Sequence, residues 1–243
     1  VGGASFTKRV RVETVKPNRL KIDLDFGGKF LRAGERITAK LHVEWLTGAT
    51  ARNLRYEMDG TVTRAKTRFS GFDNFVFDDP GREFDSEEVR VAEGATDEKG
   101  DADVSAGIVG DYDYPGMLNV NLVTRVYEES GDFSIDGVTV PYSPYTRYVG
   151  INSPQKNYER LETGMDHQFQ VAVVTQDGKP VSGANVRIEV YELSWYWWWN
   201  SDDGSLANYM SDSDRRTVQS LNTQTGADGK GTFKLNFSNR DWG

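Results

Sequence analysis

The side chains able to do acid–base or nucleophilic chemistry are few and badly placed for it. The chain has two histidines, His42 and His167, and no cysteine. Each histidine sits inside an alternating apolar–polar stretch, at what read as matching places of two halves. Neither has a nucleophile and an orienting acid beside it. No Gly-x-Ser-x-Gly, His-Glu-x-x-His or glycine-rich phosphate loop occurs. Without cysteine, thiol catalysis, disulfides, thioesters and thiolate-bound zinc are excluded within this chain. Carboxylates are plentiful: Asp78-Asp79, Glu87-Glu88, Glu128-Glu129 and Asp202-Asp203 are adjacent pairs. Neighbours along a strand point to opposite faces, so adjacency does not build a glycosidase pair. Asp97, Asp101 and Asp103, with Asp111 and Asp113 nearby, offer oxygens to calcium, as do Asp202, Asp203, Asp212 and Asp214. None has the ordered spacing of a calcium loop, so plain acidic turns are expected. The expectation is a chain with no catalytic residue, no metal site and no cofactor.

Aromatic residues are the exception to this blandness. Val186, Ile188 and Val190 alternate as on a strand with one buried face. Beyond them Trp195, Trp197 and Trp199 share one parity, while Tyr196 and Trp198 share the other. A strand cannot bury both sets in one small core. Trp195, Trp197, Trp198 and Trp199 are therefore candidate contact residues. They serve either a hydrophobic clasp on a loop or neighbouring domain, or a recognition surface for protein or sugar. The polar stretch 200–216 that follows reads as a long excursion.

These residues are positioned by strands. Over 243 residues, 37% are hydrophobic and 12% aromatic, which is the balance of a globular chain. The length fits one large or two small domains. The net charge of -8 disfavours a phosphate backbone, so nucleic acid is not an expected partner. No apolar run approaches the roughly 20 residues of a membrane span. Val1-Gly2-Gly3 opens no signal-peptide pattern. Leu20, Ile22, Leu24 and Phe26 alternate with polar residues, as do positions across Ile37–Trp45. Val62–Phe77, Glu87–Val91, Leu118–Tyr127, Tyr145–Ile151, His167–Thr175, Val186–Tyr191 and Gly231–Phe237 read the same way, while Tyr127–Pro144 reads as turn-rich. Many short strands separated by turns predict antiparallel sandwiches.

The strands come in two copies. Leu31-Arg32-Ala33-Gly34 precedes one strand and Leu161-Glu162-Thr163-Gly164 another. Gly48-Ala49 answers Gly183-Ala184, and Thr96…Gly100 answers Thr225…Gly229. Glycines recur where the backbone must turn tightly. Two copies imply two domains of one type: 16–151 and 152–243. The second copy stops soon after its late hairpin, so it is expected to lack its final strand or strands. Residues 1–15 read as the trailing strand of a preceding domain. Phe6–Val15, with an apolar stripe, is expected to pack on an existing sheet or on the open edge of a neighbouring molecule.

Val15-Lys16-Pro17-Asn18-Arg19-Leu20-Lys21-Ile22, then Gly34…Trp45-Leu46-Thr47-Gly48-Ala49, then Tyr148-Val149-Gly150-Ile151, resemble macroglobulin-like domains of bacterial alpha-2-macroglobulins. The Trp-rich Tyr191–Trp199 resembles a segment of the same proteins. The resemblance covers essentially the whole chain and implies an all-β fold of tandem immunoglobulin-like (macroglobulin-like) antiparallel β-sandwiches. It implies a non-catalytic scaffold from the N-terminal half of a protease-trapping inhibitor, in which cleavage of a bait segment triggers collapse around the attacker. Implied partners are proteases, met through the parent, and neighbouring macroglobulin-like domains. The implied setting is extracytoplasmic, the periplasm or cell envelope, with a parent open to membrane anchoring. The Cys-Gly-Glu-Gln thioester of many members has no counterpart here. The competing expectation is an extracellular binding module, an adhesin or carbohydrate-binding repeat, that uses the Trp-rich segment.

Overall fold

The computed structural model describes residues 17–28, 30–32, 36–82, 84–106, 113–154, 161–193 and 215–237. Their elements are all strands: β1 (Leu20–Asp25), β2 (Leu31–Arg32), β3 (Ile37–Trp45), β4 (Arg55–Arg64), β5 (Glu87–Ala95), β6 (Asp101–Ala106), β7 (Leu118–Tyr127), β8 (Phe133–Ser143), β9 (Arg147–Asn152), β10 (Asp166–Thr175), β11 (Asn185–Leu193), β12 (Arg215–Gln224) and β13 (Lys230–Asn236). No helix among the described residues is long and apolar enough to cross a membrane.

Alternation builds the first sandwich. Along β7, Leu118, Val120, Leu122, Thr124 and Val126 are buried while the residues between them are half-exposed. β7 lies in a sheet of order β2-β8-β7-β4-β5, which faces a sheet of order β1-β3-β6. Leu20 and Ile22 of β1 and Ala39, Leu41 and Val43 of β3 meet Met58, Val62 and Leu122 in one core. Each fully buried side chain of this size contributes about 1.5–3 kcal/mol. The chain enters this sandwich under a clamp. Asn18 bonds to both the N–H (3.1 Å) and the C=O (2.8 Å) of Ile135. Buried Ser134 accepts from the N–H groups of Arg19 (3.0 Å) and Leu20 (3.1 Å). Buried Glu128 pairs with Arg19.

The second half repeats the plan with a sheet of order β13-β10-β9 and the pair β11-β12. Phe169, Val171, Val173, Val186, Phe233 and Leu235 form its core. The repeat is visible in hydrogen bonds. The N–H of Val43 donates to Gly100, and that of Val173 to Gly229, both at 2.9 Å. Buried Thr96 donates to the carbonyl of Ala51 (2.9 Å) and accepts from the N–H of Leu54 (3.0 Å). Buried Thr225 does the same with Val181 (2.7 Å) and Ala184 (2.9 Å). The Thr-x-x-x-Gly signature is thus a lock. The threonine satisfies backbone groups where pairing stops, and the glycine turns the chain.

Four expectations are corrected. The two histidines do not match: the shared turn bonds align Val43 with Val173, which puts Ala172 opposite His42 in the repeat. Val62–Phe77 is not one strand, because β4 ends at Arg64. The Phe side chains beyond it are spaced for a loop rather than for alternation. Tyr127–Pro144 holds the long strand β8, which the turn-like Gly137 and Pro141 disguise. Over most of its length β8 is an edge strand, where a missing N–H is tolerated. The stretch Tyr145–Ile151 does not close the first sandwich. Its strand β9 pairs with β10, from Arg147 opposite Thr175 to Asn152 opposite Gln170. Both edges of β3 are already taken by β1 and β6, so the free edge was that of β10. Phe6–Val15 lies outside the described residues.

Candidate functional site: the joint between the two halves

The residues of the insert between β4 and β5 are held by the first sandwich but point their rings away from its core. At the base, the N–H of Ala65 donates to Met117 (3.0 Å) and that of Asp79 to Pro115 (2.7 Å). The N–H of Thr67 donates to Asp78 (3.0 Å), while the Thr67 hydroxyl accepts from the N–H of Met117 (2.7 Å). Arg82 bonds to Asp79 (2.9 Å) and Asp113 (3.0 Å). The adjacent Asp78-Asp79 pair therefore serves the loop's own geometry.

The tip is an aromatic plug. Phe69, Phe72, Phe75 and Phe77 are all buried, in a cluster with Tyr148 of β9 and Ala172 and Val174 of β10. Phe77 meets Phe69 edge-on at 4.9 Å and Phe72 at 6.4 Å. Gly150 of β9 lies directly beneath Phe77: a Cβ there would stand 2.6 Å from the ring. The Lys230 ammonium caps the cluster, 5.2 Å from the Phe72 ring and 5.6 Å from that of Phe75. The backbone joins in. Val76 and Ile151 exchange hydrogen bonds of 2.8 and 2.9 Å, so the insert extends the edge of β9. The link between β8 and β9 is pinned too. The Ser143 hydroxyl bonds to Tyr145 O (2.9 Å) and the Tyr148 hydroxyl (2.7 Å). The N–H of Gln176 donates to Thr146 (3.1 Å), and Arg32 pairs with Asp177 (3.3 Å).

The repeat explains the chemistry of the receiving face. The outer face of the first copy carries charge: Lys21 pairs with Glu44 at 2.8 Å and His42 with Asp101 at 2.6 Å. The equivalent face of the second copy carries Ala172 and Val174, because a loop covers it. The signal was present in Val171-Ala172-Val173-Val174, apolar on both parities, and in the four Phe of residues 69–77. The turn signatures pair the two halves without saying which surface of one covers the other.

His42 and Asp101 are each about half exposed (50% and 53%) on an open sheet face, without the enclosure a catalytic constellation needs. The ring of His167 bonds to the carbonyl of Glu162 at 2.7 Å, on the other half of the molecule. Asp97 accepts from the N–H groups of Lys99 (2.7 Å) and Asp101 (2.9 Å). Among the described residues no three acidic or histidine side chains gather as a metal site would require. A hollow of about 500 Å³ lies over the outer face of β4 and β7. Its Asp59 is shared by Arg90 (2.6 Å) and Arg125 (2.5 Å), so its charges compensate one another. Trp195, Trp197, Trp198 and Trp199 lie outside the described residues, as do Asp111, Asp202, Asp203, Asp212 and Asp214.

Burial pushes the hydroxyls of Tyr145 and Tyr148 above the usual tyrosine pKa of 10.0. A raised pKa means that the unfolded state releases the proton first. The stability these groups contribute is present below pH 10.0 and is lost as pH rises past it. The thermal midpoint is expected to fall steeply above that pH, and Tyr148→Phe to flatten the fall. An unchanged slope in the variant would remove Tyr148 from this account.

Comparison with known families places the two halves. Residues 18–134 match the bacterial alpha-2-macroglobulin MG5 domain, and residues 150–243 match bacterial macroglobulin domain 6. Among solved structures, the native conformation of Escherichia coli alpha-2-macroglobulin superposes with a TM-score of 0.56 at 16% identity, over 93% of this chain and 15% of that one. The same protein activated by porcine elastase gives 0.57 at 19% identity, over 92% and 20%. Its trypsin-activated form gives 0.60 at 17% identity, over 91% and 15%. Curated protein sequences contain no match. The chain thus spans only a fifth or less of the length of these relatives.

Proposed function

The chain belongs to the bacterial alpha-2-macroglobulin family, and from that membership we propose that it is a non-catalytic scaffold segment of a protease-trapping inhibitor acting outside the cytoplasm, in the periplasm or cell envelope. The observation that carries this reading is the joint. The plug, the bonded edge at Val76 and Ile151 and the pinned link make the two sandwiches turn together. A trap needs such parts: cleavage elsewhere releases strain, and rigid blocks convert it into displacement. The structural relatives are described as activated by elastase and by trypsin, which supports proteases as the parent's partners.

Incubating the parent with trypsin or elastase tests the proposal. The expected result is a faster-sedimenting, compacted species in which the protease still cleaves a small peptide but no longer a large protein substrate. No compaction, with full activity on large substrates, would overturn it.

A further inference from the structure

The repeat also compares the insides of the two sandwiches. Ile22 stands opposite Val43 and Leu24 opposite Leu41 in the first copy. Val149 stands opposite Val173 and Ile151 opposite Val171 in the second. The turn bonds that align Val43 with Val173 therefore align Ile22 with Val149 and Leu24 with Ile151. Residues directly opposite in an antiparallel pair share a face, so all of these side chains look into a core. In the first copy β7 and β8 lie over β1, and Ile22 is only 9% exposed. In the second copy Val149 is 53% exposed and Ile151 44%. Val76, bridged to Ile151, adds a third aliphatic side chain to this face, 59% exposed.

The opposing sheet gives the reason. The buried threonines that follow β5 and β12 make those two strands equivalent, as are β4 and β11 before them. β4 is flanked by β5 and β7, whereas β11 has β12 on one side and, among the described residues, no strand on the other. The open side of β11 is thus the place that β7 takes in the first copy. Its backbone there is a free edge. Half-buried Ile188 and Val190 of β11 and the stripe of Val149, Ile151 and Val76 line the two walls. We propose that this seam between β9 and β11 is a binding site for one extended polypeptide strand, antiparallel to β11 and aliphatic at every second position.

The first copy states the chemistry of the occupant. β7 runs antiparallel to β4 and sends Leu118, Val120, Leu122 and Val126 into the core. Its outer face matters too, since Arg125 reaches Asp59 of β4 at 2.5 Å. Glu189 of β11 stands as far past Ala184 as Asp59 stands past Leu54. A strand in the seam with an arginine at the place of Arg125 meets a carboxylate again. Pairing along the edge supplies affinity, and the alternate side chains that enter the core supply selectivity. The inference rests on the repeat and on these exposures, and takes nothing from protease trapping.

A synthetic peptide with the sequence of β7, Leu118–Tyr127, is the probe for the 243-residue chain. Anisotropy of the labelled peptide is expected to rise to saturation. The β11 amides that do not pair with β12 should then exchange about tenfold more slowly or better. A peptide carrying Val120→Ser and Leu122→Ser is expected not to bind. In the protein, Val149→Thr with Ile151→Thr keeps branched residues suited to a strand. This pair should leave the denaturation midpoint unchanged and weaken the peptide about tenfold or more. Glu189→Gln should weaken it less and reduce its dependence on salt. No saturable binding, or binding untouched by the threonine pair, would overturn the inference. So would β11 amides already protected in the peptide-free chain, whether by its own residues or by a second copy in a dimer that sedimentation detects. Trapping is read by compaction of the parent and this site by peptide titration, so either proposal can fail without the other.

Discussion

Phe77→Ala is expected to destabilise the joint by about 3–5 kcal/mol, the range for emptying a buried phenyl site. Phe77 is 6% exposed and touches the other three rings of the plug at 4.9 to 6.4 Å. Neighbours on both halves of the molecule would have to move to refill its place. The loss has a location. The amide protons of Val76 and Ile151, bonded only across the joint, should exchange much faster. Those of Val120 and Leu122, deep in the first sandwich, should keep their protection. Phe77→Leu keeps most of the volume and should cost far less. Gly150→Ala attacks the same contact from below. Its new Cβ would stand 2.6 Å from the ring, so the plug must lift, at about 1–3 kcal/mol. A cost for Phe77→Ala below about 1 kcal/mol, with Ile151 still protected, would mean that the plug covers the sheet without holding it.

Gly100→Ala is the second large effect expected. Gly100 has φ +83°, and a Cβ there would stand 2.4 Å from the carbonyl oxygen of Val43. The left-handed backbone costs an L-residue about 1–2 kcal/mol, and displacing a carbonyl inside a strand pair adds about 1–3. The same change at Gly131, with φ +85° and nothing within 4 Å, should show the conformational part alone. The difference between the two denaturation midpoints measures the clash. Gly229→Ala should repeat the result in the second copy, where the Cβ meets Val173 O at 2.9 Å and Pro180 at 2.7 Å. Thr96→Val removes the partner of the lock and strands the buried N–H of Leu54, at about 1–3 kcal/mol. Equal midpoints for Gly100→Ala and Gly131→Ala would mean that the strand yields freely to the added carbon.

The shift of Phe69–Phe77 from expected strand to plug shows where local pattern stops working. An apolar run with glycine reads as a poor strand because strand residues and loop residues that bury rings share one composition. The outer face of β10 had the same ambiguity. Val171-Ala172-Val173-Val174 looks like a fully buried strand, and it is one, but half of its cover comes from residues about a hundred positions earlier. Pro141 and Gly137 hid β8 for the opposite reason: an edge strand tolerates residues that an interior strand rejects.

The recurring turn signatures, Thr96…Gly100 and Thr225…Gly229, were legible from the chain alone, while the threonine's bonds to its neighbours' backbone were not. A threonine that satisfies its neighbours' backbone and a glycine that turns left-handed are local requirements, and they recur wherever the local geometry recurs. The folded chain was needed to show which sheet takes β9, where the phenylalanines go, and why Ala172 stands where the first copy has His42. Those outcomes turn on which surfaces meet across long sequence separations. Burying a strand's second face requires a partner that the strand's own sequence does not name.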